Sequence, residues 1–201
     1  MFNIILAAGL SSRMRENKVL LKYKNMTFLE HQIKASFRAN IDVIVVSGCY
    51  KNSIENEIYN LEKKYNKKIY IAYNENYSYG QLSSLIVGVK KIIDLENTEP
   101  YFISVADTPF IKSEDLLNLI PHLKNHDALR PFVKNTFGHP VLINSKLSKE
   151  IVKLEYKNKN EGLRSFLKTK DTITFESNNL AYINDIDTKE SYDKFILNPS
   201  S

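Results

Sequence analysis

The sequence predicts an α/β fold: a mostly parallel sheet flanked by helices. Three observations carry this. Short apolar, β-branched runs recur at Asn3–Ala7, Val43–Ser47, Ile69–Tyr73 and Tyr101–Val105. Helical patterns fill the gaps between them, near Thr27–Arg38, Ser53–Tyr65 and Gln81–Ile93. The runs are apolar throughout rather than alternating, as strands covered on both faces must be.

Further elements follow in order. A helix is expected from Ser113 to Leu123, after Pro109. Strands are expected at Asp127–Val133 and Val141–Ile143, forming a small antiparallel excursion. Helices follow near Ser145–Leu154 and Gly162–Thr169, then a strand near Thr172–Glu176 and a final helix from about Thr188. Crossovers between the parallel strands should be right-handed. There are no repeats and no low-complexity tract. A chain of 201 residues is expected to form one domain, 1–201, with a substantial core.

Composition narrows the class. Hydrophobic residues make up 43% and charged residues 25%, as in soluble globular proteins. No apolar run approaches the roughly 20 residues that cross a bilayer, and no secretory leader is read at the N-terminus. Cys49 is the one cysteine, so no internal disulfide is possible, and a reducing cytoplasm is expected. The net charge of +5 favours anionic ligands. The lysines are interleaved with acids such as Glu55, Glu57 and Glu62, and no aromatic-lined cationic stripe exists. Neither a nucleic-acid partner nor a membrane is expected.

In an open α/β sheet, ligands bind beyond the carboxyl ends of the strands. Three polar loops are expected at that edge. The first is Leu6-Ala7-Ala8-Gly9-Leu10-Ser11-Ser12-Arg13-Met14, closed by Lys18. Its small residues let the backbone approach a ligand, and Gly9 is free to take φ > 0. Its N–H groups can line phosphates while Arg13 and Lys18 offset their charge. It is neither a Walker A loop nor G-x-G-x-x-G. An ordinary turn with surface cations is the simpler alternative.

The second loop is Ser104-Val105-Ala106-Asp107-Thr108-Pro109. A lone carboxylate after a buried strand suits Mg²⁺, which takes one or two carboxylates and completes its shell with phosphates and water. Asp107 as a turn cap is the alternative. The third loop, Gly80-Gln81-Leu82-Ser83-Ser84-Leu85, offers a turn and two hydroxyls that bond a base or simply start a helix. Near the C-terminus, Asn184-Asp185-Ile186-Asp187-Thr188 reads as a second metal corner or as a helix N-cap.

The first loop resembles the signature L-A-A-G-x-S-S-R-M-G-x-x-K of MobA-like nucleotidyltransferases. Within them it resembles the molybdenum cofactor cytidylyltransferases. Arg15 and Asn17 depart from the usual Gly and Pro. Ser104–Pro109 resembles G-D-x-P, with Ala106 for Gly. Gly80–Leu85 resembles G-M-S-S-S-L, and Asn184–Thr188 resembles D-I-D-T-P-E-D with Lys189 for Pro. Gly138-His139-Pro140-Val141-Leu142 resembles the G-H-P-V-L segment of the cytidylyltransferases, and Gly162-Leu163-Arg164 a G-A-R near the acceptor pocket. The Gly-Asp usual upstream of G-A-R is replaced by Lys159 and Asn160.

The resemblance spans Leu6 to Tyr192 and implies a Rossmann-like nucleotidyltransferase fold. It implies transfer of CMP from CTP to a molybdopterin cofactor with release of pyrophosphate. Lys18, Arg13 and Asp107 would be catalytic. Leu6, Ala7, Ala8, Gly9, Ser11, Ser12, Gly80, Ser83 and Ser84 would hold the nucleotide, and the Ala7-Ala8 pair favours CTP over GTP. Gly138, His139 and Arg164 would meet the acceptor; His139 reads equally as a structural histidine. Mg²⁺ would bind Asp107 and Asp185, with Asp187 as a possible cap. A molybdenum hydroxylase is an expected downstream partner. Two alternatives stay open: a cytidylyltransferase for a sugar, polyol or choline phosphate, and an accessory protein that binds and delivers a molybdenum cofactor.

Overall fold

The computed structural model describes residues 1–10, 17–156, 162–186 and 188–197. Strand β1 (Phe2–Leu6) leads into the small-residue loop. A tight hairpin, β2 (Lys22–Tyr23) and β3 (Met26–Thr27), follows and was not read from the sequence. Its turn residues Lys24 and Asn25 both take positive φ, the backbone a two-residue hairpin turn demands. Helix α1 (Phe28–Arg38) starts where the Thr27 side chain accepts from the Glu30 N–H at 3.0 Å. Strand β4 (Asp42–Ser47), helix α2 (Lys51–Tyr65), strand β5 (Ile69–Tyr73), helix α3 (Gln81–Asp94) and strand β6 (Tyr101–Val105) complete the expected alternation. Helix α2 stops at Asn66, which takes the left-handed conformation.

The second half is more irregular. Helix α4 (Ser113–Leu123) is followed by β7 (Ala128–Val133), the short β8 (Thr136–Phe137) and β9 (Val141–Ile143). The two helices expected next are shorter than their sequence patterns. They are α5 (Ser148–Ile151), preceded by a 3₁₀ turn, and α6 (Leu163–Leu167). Strand β10 (Thr172–Glu176) and helix α7 (Lys189–Leu197) close the chain.

The strands form one sheet in the order β10-β7-β9-β6-β1-β4-β5, with β8 turned back onto β7. Strands β6, β1, β4 and β5 are mutually parallel. Strand β9 runs antiparallel to both β6 and β7, and β10 returns to parallel beside β7. The antiparallel excursion is therefore real but narrow, confined to β9 and the two-residue β8. Helices α1, α2 and α4 cover one face through Leu29, Ile33, Ile54, Ile58, Leu116 and Leu119. Helices α3, α5 and α6 cover the other through Leu85, Val89, Ile92, Ile151 and Leu167. This double cover explains why Val43–Val46 are all fully buried and why the run had to be apolar throughout.

The chain passes from β1 out to β4 and β5, then returns to the other side of β1 as β6. Strand order thus reverses between β1 and β6. The loops leaving those two strands diverge there, which opens a crevice at the sheet edge.

A polar seam runs beneath that crevice between α1 and the sheet. Asn3 donates to Ser36 Oγ at 2.9 Å and accepts from Ser104 Oγ at 2.8 Å. One turn earlier on α1, the buried Gln32 amide donates to the backbone carbonyl of Thr108 and to Thr108 Oγ1. Thr108 Oγ1 in turn donates to the Val105 carbonyl at 3.0 Å. Sequence reading overlooked Gln32, because one glutamine in a helix has no local signature. Its place is set by tertiary contact: it clamps the residue immediately after Asp107. Gln32→Leu strands the Thr108 carbonyl in a buried position. We expect a loss of about 1–3 kcal/mol in denaturant unfolding. Displacement of the Asp107 loop should also lower turnover that depends on it about tenfold in steady-state kinetics.

Candidate active site

The first cavity lies over the β1–β6 crevice and has a volume of about 280 Å³. Its lining includes Ala7, Ala8 and Gly9 from the loop after β1, Ser84 from α3, and Lys18 and Asp107. Leu6, also expected at the site, and Gly80 lie on its wall. The loop after β1 is anchored by the Ala7 N–H to the Val46 carbonyl at 3.0 Å and by the Cys49 N–H to the Ala8 carbonyl at 3.4 Å. Backbone from neighbouring strand ends thus holds a bare stretch of chain open to a ligand.

Lys18 and Asp107 meet here although 89 residues separate them. Lys18 Nζ donates to Asp107 Oδ2 at 2.5 Å, and each side chain is 18% exposed. Asn17 caps the 3₁₀ turn Lys18–Leu20 by accepting from the Val19 N–H, which sets the direction of Lys18. The other carboxylate oxygen, Asp107 Oδ1, is buried and has no hydrogen-bond partner among the described residues. A buried carboxylate oxygen left unpaired is costly and fits a site built for a cation.

Asp185 comes close to this point. The Ile186 N–H donates to the Asp107 backbone carbonyl at 3.1 Å, so the Asp185 segment lies against the Asp107 loop. The Asp185 residue is exposed. Among the described residues there is no cluster of three or more His, Cys, Asp or Glu side chains able to enclose a metal. The donor set is one orphaned carboxylate oxygen with a second carboxylate on the adjoining segment. It fits a hard divalent cation that draws its remaining ligands from phosphates and water, and not a transition metal held by a protein cage.

Several sequence expectations are relocated. Gly9 has no positive φ; that conformation belongs to Gly80, at φ +95, which turns the chain into α3. Ser83 is buried and does not line the cavity. Its hydroxyl bonds the carbonyls of Asn76 and Gly80 at 2.9 and 2.7 Å and accepts from Asn74 Nδ2 at 2.9 Å. It fastens the turn, while Ser84, which also accepts from Asn74, faces the cavity. Gly138 does not meet open space either. A Cβ there would overlap the Tyr182 carbonyl, and the flanking His139 N–H donates to that same carbonyl at 2.8 Å. The bare Cα of Gly138 lets its chain pack closely against Tyr182. Ser11, Ser12, Arg13 and Asp187 lie outside the described residues.

A second cavity of about 430 Å³ opens beside the first, and the two share Leu6, Ser78, Gly80 and Gln81 as a common wall. Its floor is the row Ile103 and Val141, paired across β6 and β9. Its polar groups include Arg130, His139 and Arg164. Burial holds the His139 imidazole below its ordinary value; a hydrogen bond to the Ile103 backbone and the charge of Asp107 pull the other way. The ring is thus held toward neutrality, and its buried Nδ1 has no partner among the described residues. Arg130 went unnoticed in the sequence. The available signal was a single cation inside the apolar run Ala128–Val133, whose strand ends at this same edge.

The residues placed here belong to a known pattern. The model of the MobA-like NTP transferase domain matches residues 3–173. The chain belongs to that family. It is 30% identical over 190 residues to the molybdenum cofactor cytidylyltransferase of Escherichia coli strain K12, covering 94% of this chain and 92% of that protein. The structure of Rv0371c from Mycobacterium tuberculosis H37Rv superposes with a TM-score of 0.78 at 17% identity, covering 98% of both chains. Molybdopterin-guanine dinucleotide biosynthesis protein A from Archaeoglobus fulgidus superposes at 0.70 and 14% identity, covering 100% of this chain and 99% of the other. The fold of this MobA-like protein is thus the Rossmann-like fold of nucleotidyltransferases, and the chain is a nucleotidyltransferase. No helix among the described residues is long and apolar enough to cross a membrane.

Proposed function

We propose that this MobA-like enzyme transfers CMP from CTP to the terminal phosphate of a molybdopterin-type cofactor and releases pyrophosphate. Residues 1–201 act as one transferase domain. The observation that carries the reading is the Lys18–Asp107 pair. It lines a cavity walled by bare backbone, which shares Leu6, Ser78, Gly80 and Gln81 with a second cavity lined by arginines. The first cavity suits a triphosphate and the second an anionic acceptor. The identity with a relative named molybdenum cofactor cytidylyltransferase supports these substrates.

In this reading the triphosphate lies along Ala7, Ala8 and Gly9, and the resemblance assigns Ser11 and Ser12 to the nucleotide and Arg13 to its phosphates. Gly80 and Ser84 border the base. An oxygen of the acceptor phosphate attacks the α-phosphorus in line. The new bond is acceptor oxygen to α-phosphorus; the bond broken is α-phosphorus to the bridging oxygen, whose electrons leave with pyrophosphate. The nucleophile is already an anion, so no general base is needed. Catalysis rests on positioning and on charge. Lys18 turns from Asp107 toward the phosphates and stabilises the charge that builds on the leaving group. Asp107 and Asp185 would hold Mg²⁺, which when bound supplies charge neutralisation at the phosphates. His139 and Arg164 face the acceptor.

The free thiol of Cys49 accords with work in a reducing cytoplasm, and a molybdenum hydroxylase would receive the product. The test is a panel of CTP, GTP, ATP and UTP with purified molybdopterin cofactor and Mg²⁺, read by pyrophosphate release. CTP should exceed the others by tenfold or more in kcat/KM. Equal turnover with choline phosphate or a sugar phosphate would overturn the acceptor; cofactor binding with no turnover on any nucleotide would overturn the enzyme.

A further inference from the structure

We propose that Arg130 and Arg164 together form a dianion subsite for the acceptor's phosphate, with Phe137 fixing the direction of the Arg130 guanidinium. This rests on the function proposed above and assigns the part of the site that selects a phosphorylated acceptor.

The two arginines come from separate elements, β7 and α6, yet line one cavity. Among the described residues neither forms a salt bridge with a carboxylate. Arg130 lies deep enough that its Nε is buried, and that N–H has no partner among the described residues. Burial and the nearby Arg164 charge both work against its protonated form. A purely structural arginine in a strand would be matched by an acid or by carbonyls. This one instead has its guanidinium carbon 4.3 Å from the centre of the Phe137 ring, and Phe137 is itself 41% exposed. Stacking on a ring face holds the planar fork while leaving its N–H edge open to a ligand.

Two like charges kept together with no counter-ion among the described residues define a place for an anion with at least two charges. A phosphate monoester supplies that charge and accepts the parallel N–H bonds of a guanidinium fork. The location agrees. The two cavities share Leu6, Ser78, Gly80 and Gln81 as a wall, so the anion site adjoins the cavity that holds the Asp107 loop. A phosphate seated on the arginines would therefore present an oxygen toward the neighbouring nucleotide. The enclosed volume of about 430 Å³ suits one small molecule and not a polymer.

The experiment measures steady-state CMP transfer by R130M, R164M, R130K and F137L, each with the KM for acceptor and for CTP determined separately. We expect R130M and R164M to raise the acceptor KM at least tenfold while the CTP KM stays within twofold. R130K, which keeps charge but loses the fork, should fall between, and F137L should raise the acceptor KM about threefold. Wild-type acceptor KM in both R130M and R164M would overturn the subsite, as would an equal rise in CTP KM. If R130M does not fold, R130K and F137L decide the matter by the same split. If the wild-type protein transfers no CMP at all, the proposed function fails separately. Titration calorimetry with inorganic phosphate then reads the subsite, which predicts at least tenfold weaker binding by R164M than by wild type; equal binding would end it.

Discussion

Asp107→Ala should lower kcat about a thousandfold, equivalent to about 4 kcal/mol of lost transition-state stabilisation. Only this side chain among the described residues offers the first cavity a buried, unpartnered carboxylate oxygen, and the opposite oxygen already engages Lys18. Removing it would delete the proposed anchor for the cation and the ion pair to Lys18 together. The fold should survive. The Lys18–Asp107 pair is mostly buried but reaches solvent, so its loss should cost about 1–3 kcal/mol. That is small beside the roughly 5–15 kcal/mol of a typical domain. Pyrophosphate release gives the rate, and the denaturant midpoint checks the fold. Manganese titration followed by electron paramagnetic resonance should report binding at least tenfold weaker than in wild type, with Asp107→Asn giving the same result. A rate within tenfold of wild type would remove Asp107 from the chemistry.

Lys18→Ala should lower kcat about a hundredfold, the effect of removing one charge-stabilising donor. Its signature differs from that of Asp107→Ala. Without the ammonium, Asp107 Oδ2 is released to other ligands. Manganese binding to the free protein should therefore be unchanged or tighter, while turnover collapses. This opposition between metal affinity and rate separates a lysine that stabilises phosphate charge from one that merely shapes the Asp107 loop. Parallel loss of metal binding and rate in both variants would assign Lys18 a structural part only.

Much of this candidate site is legible in the sequence alone, for definable reasons. Continuous apolar strands separated by helical patterns leave few arrangements other than a doubly covered parallel sheet, and the loops after such strands share one edge. That logic brought Ala7–Gly9, Lys18 and Asp107 together in advance. The serine and glycine assignments were weaker because residue type does not reveal which neighbour a group meets. Ser83 is satisfied by Asn74, Asn76 and Gly80, and Gly138 by the backbone of Tyr182, which lies 44 positions on in the chain.

The sequence by itself determined the order of strands and helices and the small-residue loop after the first strand. It also marked the lone carboxylate after the fourth long apolar run. Each of these is written in local periodicity and in residue size. Tertiary structure alone decided that Gln32 clamps Thr108, that Arg130 and Arg164 share a cavity, and that Asp107 keeps one oxygen unpaired among the described residues. Those facts depend on which distant segments become neighbours. Charge and hydrogen-bond satisfaction are properties of the packed neighbourhood, and no single stretch of chain contains them.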